Sequence, residues 1–191
     1  MKTALIVVAA ALTAASASAK TYEIDPAHSS VSFRVRHLVT KVRGRFDKFS
    51  GSIEYDKGAP ETWKAAVEID PASINTNVSK RDAHLRSADF FDVEKCSTMS
   101  FKTTKIDEVK GDSAKLHGEL TMHCVTKPVT LDVQIAGVEK DPEGRAHFGA
   151  SATGKINRKD WDVSWNKILD SGGVILGEDV ELELDVEALP R

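Results

Sequence analysis

Hydrophobic and polar residues alternate with a period of two along most of the chain. Between residues 129 and 135, for example, Val, Leu, Val and Ile alternate with Thr, Asp and Gln. Successive side chains of a β-strand point to opposite faces, so such a stretch has one apolar and one solvated face, as in antiparallel sheets. The pattern recurs at 31–35, 65–69, 148–156 and 180–186. The sequence therefore predicts an all-β fold.

Polar segments that contain Gly or Pro predict the connections between these strands. They lie at 49–52, 56–60, 140–144 and 171–173. About eight strands joined by short turns indicate a closed barrel or a two-sheet sandwich, and closure removes the exposed sheet edges. An eight-stranded barrel either holds one small ligand or is filled by its own side chains. Small residues on the predicted inward face favour a hollow interior: Ala150, Ala152 and Gly154.

One segment departs from the strand pattern. Residues 79–92 predict a short helix with Ser79 as N-cap and Asp82 at its third position, and 89–94 are compatible with a second helical turn. Its basic side chains either solvate the helix or receive an anionic head group at a cavity mouth, because Arg binds phosphate bidentately and a helix N-terminus adds N–H donors. The cluster comprises Lys80, and the head-group candidates Arg81, His84 and Arg86.

The first 19 residues predict a cleaved export signal. Lys2 precedes an uncharged apolar run of ten residues at 4–13, and small residues ending in Ala17-Ser18-Ala19 follow. A run of this length is too short to cross a hydrocarbon core, which needs ~20 residues. We therefore expect residues 20–191 to form one periplasmic domain without an integral membrane segment. The net charge of −3 gives no basic footprint for nucleic acid.

The sequence lacks the common motifs of enzymes and metal sites. It contains no G-x-S-x-G elbow, no P-loop, and no H-x-H, H-E-x-x-H or C-x-x-C spacing. His117 and His123 share one strand parity, which we expect to face solvent, but they lie ~20 Å apart along a strand, too far to share an ion. The other histidines lie on separate segments. We therefore predict no catalytic residue set, no metal and no cofactor.

The two cysteines, Cys96 and Cys124, favour a disulfide over two free buried thiols, because the predicted export signal leads to an oxidising compartment, where an even number of cysteines favours pairing. Residues 98–106 and 116–124 predict a hairpin joined by the polar segment 107–115. In an antiparallel hairpin, the numbers of two facing residues add up to the same value at every position along the ladder. A turn centred near Gly111 makes this value about 222. The cysteine numbers sum to 220, so the two side chains fall nearly opposite each other.

Large apolar side chains supply either a packed core or the wall of a cavity. A core of this size needs them, and a cavity lined by several of them would suit a hydrocarbon chain. The candidates for such a wall are Phe33, Val35, Phe46, Phe49, Phe90, Phe91, Met99, Phe101 and Trp165.

Several stretches resemble the YceI-like family of polyisoprenoid-binding proteins, in the family's order. They are IDPAHS at 24–29, RDAHLRSADFFDVEK at 81–95, HGELTMHCVTKPVTLDV at 117–133, GKINR at 154–158 and GEDV at 177–180. The resemblance implies an elongated, lipocalin-like antiparallel barrel whose interior binds a long isoprenoid or quinone-like lipid, with the head group near the mouth. It also implies a periplasmic carrier or storage protein, often a homodimer, without a generally established enzymatic activity.

Two other functions stay open from the sequence alone. One is an enzyme acting on a prenyl-type lipid, motivated only by the basic cluster on the predicted helix. The other is a filled barrel acting as an envelope stress or interaction protein. The chain also departs from the family pattern at 96–97, where Cys-Ser stands for the usual Tyr-Pro, and at Cys124, where Gly is usual. Both departures introduce cysteines that the hairpin brings together, which strengthens the disulfide prediction.

Overall fold

A computed structural model of the chain describes residues 19–170 and 172–191. The predicted export signal therefore lies outside the described residues, except for Ala19. Within these ranges the chain forms eleven strands and one α-helix, α1 (Ser79–Arg86). The strands are β1 (Lys20–Ile24), β2 (Ser30–His37), β3 (Thr40–Phe46), β4 (Phe49–Tyr55), β5 (Lys64–Ile69), β6 (Ile74–Asn75), β7 (Met99–Lys110), β8 (Ser113–Met122), β9 (Val125–Lys140), β10 (Ala146–Asn157) and β11 (Leu176–Pro190). Single 3₁₀ turns lie at Pro60–Thr62, Pro71–Ser73 and Arg158–Trp161.

Eight antiparallel strands close into a barrel. β1 and β2 act as one bent strand, and β3 and β4 as another, because Val31 faces Phe46 in one ladder and Tyr22 faces Ile53 in the next. The order around the barrel is then β1/β2, β3/β4, β5, β7, β8, β9, β10 and β11, and β11 returns to pair with both β2 and β1. The predicted all-β barrel is confirmed, and the two-sheet sandwich is excluded because the ring of hydrogen-bonded strands is continuous.

The predicted inward faces of the strands are also confirmed. The apolar residues of all five alternating stretches line one interior cavity, apart from Gly154. Their polar neighbours point outward, where Glu181 pairs with Lys41 and Glu183 pairs with Arg34. The period of two therefore fixed which side chains face inward.

Two predicted connections are wrong. Residues 49–52 do not separate strands, because the bend falls at 47–48 and Phe49 already begins β4. Gly51 is needed within that strand, since a Cβ there would lie 2.3 Å from the carbonyl oxygen of Ala66 on β5. Residues 107–115 are not a loop either: β7 and β8 extend to a tight turn around Gly111, whose positive φ of 60° suits glycine.

The predicted helix is shorter than expected. α1 begins with Ser79 as its first helical residue and has Val78 as N-cap, so Ser79 does not cap it. It ends at Arg86, and residues 87–98 follow as hydrogen-bonded turns without a second helix. This segment and α1 lie across one end of the barrel, against a buried cluster that includes Phe46, Ile74 and Trp161. A second cluster, which includes Tyr22, Tyr55 and Phe148, lies toward the opposite end.

Candidate functional site

A cavity of about 680 Å³ occupies the interior of the barrel between the two buried clusters. Its volume falls within the ~300–1,000 Å³ that is typical of ligand pockets. Aliphatic and aromatic side chains make up nearly all of its wall. The ring of Tyr55 packs in this wall against those of Trp63 and Phe148, with centroid distances of 5.1 and 4.9 Å. The inward side chains therefore surround a void and do not fill it.

All nine residues predicted as a cavity wall line this void: Phe33, Val35, Phe46, Phe49, Phe90, Phe91, Met99, Phe101 and Trp165. Two glycines explain why the large rings leave space. A Cβ on Gly44 would lie 2.4 Å from the ring of Phe33, and one on Gly118 would lie 2.4 Å from the ring of Phe101. Both rings therefore lie over backbone that carries no side chain. A contact between these residues and a ligand stays a prediction.

The cavity reaches the surface beside α1. Its lining there includes the exposed side chains of Val78 and Lys80, together with His37 at the end of β2 and Leu176 at the start of β11. We call this opening the mouth. It lies between α1, the β2–β3 turn and residues 162–170 and 172–175, which precede β11.

A buried carboxylate fixes the start of α1 at the mouth. Asp82 is 7% exposed and accepts hydrogen bonds from the backbone N–H of Thr76, at 2.9 Å, and from its hydroxyl. Arg81 donates from Nε to the Thr76 hydroxyl at 2.7 Å and from Nη2 to the Thr76 carbonyl at 2.8 Å. Arg81 is thus held in the cavity lining, and no described residue accepts a hydrogen bond from its Nη1.

His84 also lies in the lining, whereas Arg86 does not. The Nε2 of His84 is 2.7 Å from a carboxylate oxygen of Asp89, and its ring packs edge-to-face on Phe90 and Trp165 at centroid distances of 5.0 and 4.9 Å. Arg86 turns away and donates to the carbonyls of residues 72 and 74. The structure therefore brings Arg81 and His84 to the mouth and gives Arg86 a structural position, so Arg86 takes no part in the proposals below.

Sequence reasoning missed Arg158, a buried cation that also lines the cavity. It is 3% exposed and donates from Nε to the carbonyl of Gly177 at 2.9 Å and from Nη1 to the carbonyl of Val163. Burial lowers the pKa of Arg158 from its ordinary value. It ties the 3₁₀ turn after β10 to the start of β11 and so positions the wall that carries Trp165. The only signal in the sequence was its place in the family-like stretch 154–158.

Cys96 and Cys124 form a disulfide, with Cα atoms 5.3 Å apart, as predicted. Phe101 faces Leu120 in the β7–β8 ladder. Their residue numbers add up to 221, which is one less than the predicted value of about 222. Cys124 lies in the tight β8–β9 turn with φ of 60°, a conformation that favours glycine. His123 precedes it in the turn, not on a strand, and its Nδ1 contacts the Trp161 carbonyl at 3.0 Å, so it does not face solvent freely as predicted.

Charged side chains gather where β11 changes partner from β2 to β1, a place that we call the closing seam. His28 Nδ1 lies 2.7 Å from Asp25, and His147 Nδ1 lies 2.8 Å from Glu187, while His147 Nε2 lies 3.1 Å from Asp141. The sequence placed His28 and His147 on separate segments, and only the closed barrel brings them together. Ser29 joins the same seam, since its hydroxyl accepts from the Glu187 N–H at 2.9 Å.

These contacts shift the pKa values of the groups at the closing seam. Hydrogen bonds to Glu187 and Asp141 raise the pKa of His147, and the hydrogen bond to Asp25 raises the pKa of His28. Desolvation raises the pKa of Asp141, but hydrogen bonds from Arg145 and His147 outweigh it and lower that pKa to about 2. Protonated histidines therefore stabilise the closed barrel.

We expect the melting temperature to fall as the pH rises above about 6.5, the ordinary pKa of histidine, because the pKa values of His147 and His28 are raised. A raised histidine pKa contributes stability that is present below the ordinary value and lost as the pH passes the folded-state value. His147→Gln should flatten this fall, and His37→Gln, on β2 away from the seam, is the control. Thermal melts across the pH series check this. An equal slope in His147→Gln and the unchanged protein would contradict it.

Comparisons with known proteins agree with this architecture. Residues 22–188 match the model of the YceI-like domain. The chain is 40% identical to a UPF0312 protein of Staphylococcus aureus over 168 residues, which cover 87% of this chain and 95% of that protein. The structure of the YCEI protein of Campylobacter jejuni is 34% identical, with a TM-score of 0.70, and the match covers 82% of this chain and 90% of that one.

Two more distant structures share the fold. BcnA of Burkholderia cenocepacia is 22% identical with a TM-score of 0.76, covering 86% of this chain and 99% of that one. A polyisoprenoid binding domain from Saccharophagus degradans, implicated in plant cell wall breakdown, is 16% identical with a TM-score of 0.63, covering 89% and 98%. Within the described ranges, no helix has the length and apolar character that a bilayer crossing needs.

Proposed function

Since the chain belongs to the YceI-like family, we propose that it is a periplasmic carrier that holds a long-chain polyisoprenoid or related amphipathic lipid inside its barrel. The proposed role is binding and not catalysis, and it requires no cofactor. The disulfide between Cys96 and Cys124 supports export to an oxidising compartment, because such bonds persist there and are rare in the cytosol.

The cavity is the observation that carries this proposal. Its volume of about 680 Å³ and its apolar wall suit a ligand that is mostly hydrocarbon. Each CH₂ group that leaves water contributes ~0.8 kcal/mol before the cost of ordering the chain. A long tail needs no polar partner inside the barrel, so affinity grows with the length of tail that the cavity encloses.

The mouth supplies what the polar end of such a lipid would need. Lys80, Arg81 and His84 stand in the lining beside the opening, and the charged head of Arg81 is fixed by Thr76. A phosphate or quinone oxygen placed there would receive charge-assisted hydrogen bonds while the tail points toward Phe148. The arrangement favours an amphipathic lipid over a plain hydrocarbon.

Organic extraction of the freshly purified protein, followed by mass spectrometry, tests the proposal. We expect a prenyl or quinone-type lipid in near-stoichiometric amount. The delipidated protein should bind added geranylgeraniol, with a change in tryptophan fluorescence, because Trp165 lines the cavity. An extract without lipid, together with no uptake of geranylgeraniol, would refute the carrier role.

A further inference from the structure

Apolar side chains are exposed around the mouth of the cavity. Of the seven large exposed apolar side chains in the described ranges, five lie on the loops beside the mouth: Leu38, Val39, Val78, Ile168 and Val174. Val39 is 96% exposed and Ile168 is 75% exposed, which are the two highest values of the set. The other two, Val109 and Val138, lie on β7 and β9. Exposed apolar groups that cluster around an opening mark an interaction site.

The loops that carry these residues are neighbours in the structure. The backbone N–H of Leu38 donates to the carbonyl of Ile175 at 2.8 Å, so the β2–β3 turn lies beside the segment that precedes β11. Ile168 and Val174 pair across that segment in an isolated β-bridge. Val78, directly before α1, lines the cavity at the mouth. These five side chains form a rim around the opening, which we call the apolar rim.

Positive charge accompanies the apolar rim. The rim segments 36–41, 77–81, 166–170 and 172–176 contain five Lys or Arg residues and one acidic residue, Asp170, whereas the whole chain has a net charge of −3. Lys41 is paired with Glu181. The others include Arg36, Lys80 and Lys167, none of which forms a salt bridge with another described residue. The rim is thus basic on an otherwise acidic protein.

We propose that the apolar rim is a docking surface for a bilayer that contains anionic phospholipid. This inference rests on the proposed carrier function and deepens it. Apolar side chains that enter the boundary between head groups and acyl chains, flanked by Lys and Arg that meet anionic head groups, are how proteins lie on membranes. The rim consists of tips from three separate loops around a hole, which suits a deformable lipid surface better than a flat protein face.

Docking at the apolar rim also keeps the lipid tail out of water during its transfer between the membrane and the cavity. A polyisoprenoid tail that left a membrane through water would expose its apolar surface to water, and the cost would grow with every CH₂ group uncovered. With the apolar rim in the bilayer surface, the tail moves from the acyl chains directly to the cavity wall. The basic side chains beside the mouth then meet the lipid head groups of the same leaflet.

Vesicle flotation tests the proposal with the purified protein. The probe is vesicles of phosphatidylcholine alone, or of phosphatidylcholine with about one third phosphatidylglycerol. We expect binding to the mixed vesicles and a loss of at least about tenfold in the double variant Val39→Asp/Ile168→Asp. The matched control is Val109→Asp/Val138→Asp, which adds the same charge at exposed valines away from the mouth and should bind like the unchanged protein.

A separate variant tests how much the basic side chains of the rim contribute to vesicle binding. Arg36→Gln/Lys167→Gln keeps the apolar rim and should remove most of the preference for vesicles with phosphatidylglycerol. Geranylgeraniol binding to the delipidated protein should be unchanged in Val39→Asp/Ile168→Asp, so a failure of docking is distinguishable from a failure of the carrier function. The proposal is overturned if the unchanged protein does not float with mixed vesicles, or if the rim variant and its control float equally. A rim variant that only turns a dimer into a monomer, without a change in flotation, overturns it in favour of a self-association surface.

Discussion

Ala152→Trp is expected to weaken geranylgeraniol binding by on the order of 100-fold, because the indole would occupy space that the lipid needs. Ala152 lines the cavity and pairs with Val133 on β9 and Leu184 on β11. Its side chain points into the void, so the larger group displaces ligand and does not clash with a packed core. Displacing three or four CH₂ groups of the tail costs ~2–3 kcal/mol of binding free energy.

Thr153→Trp is the matched control for this variant. Thr153 is the next residue on β10, it is exposed, and its side chain faces outward. Both variants add the same group to the same strand, so only the face differs. Titration of the delipidated proteins with geranylgeraniol, followed by tryptophan fluorescence or calorimetry, compares them. Equal affinity in the two variants would show that the lipid binds outside the barrel.

Removal of the disulfide is expected to cost ~3.5 kcal/mol of unfolding free energy in Cys96→Ser/Cys124→Ser, according to the chain-entropy model for a loop of this size. The two cysteines are 28 residues apart in the sequence, and the loop between them contains all of β7 and β8. The bond therefore restricts the unfolded chain over one complete hairpin. Urea denaturation of the oxidised protein and the double variant measures the difference, and equal midpoints would contradict it.

A second double variant separates the effect of the disulfide from the effect of the backbone conformation at Cys124. Cys124 has φ of 60°, where a side chain costs about 1–2 kcal/mol relative to glycine. Cys96→Ser/Cys124→Gly should therefore recover about 1 kcal/mol relative to Cys96→Ser/Cys124→Ser. The same urea titrations check this. A glycine variant that is less stable than the serine variant would show that the turn gains nothing from glycine.

The strand faces and the register of the β7–β8 hairpin were predictable because they depend on local rules. Alternation with a period of two assigns each side chain to a face without any knowledge of neighbouring strands. The disulfide followed from the same reasoning, since the hairpin sum needs only the position of one turn. The connection at 49–52 was mispredicted because Gly51 signals a close approach of two strands as well as a turn.

Small inward residues favoured a hollow interior, but the sequence alone did not establish the void. Whether an eight-stranded barrel is hollow depends on where its rings lie, and the rings of Phe33 and Phe101 lie over Gly44 and Gly118 on adjacent strands. No local pattern specifies that juxtaposition. The closing seam was missed for the same reason, because His28 and His147 meet only through the pairing of β1 and β2 with β11.

The meeting of β1 with β11 has a kinetic consequence. Tyr22 on β1 pairs with Pro190 on β11. The first and the last strand of the sequence therefore close the ring, and all other strands lie between them along the chain. Contacts between such distant residues form slowly, because a long stretch of chain must be ordered first. The sheet therefore stays open until Leu176–Pro190 pairs with the strands on both of its sides, and the interior becomes an enclosed space only when this last strand is in place.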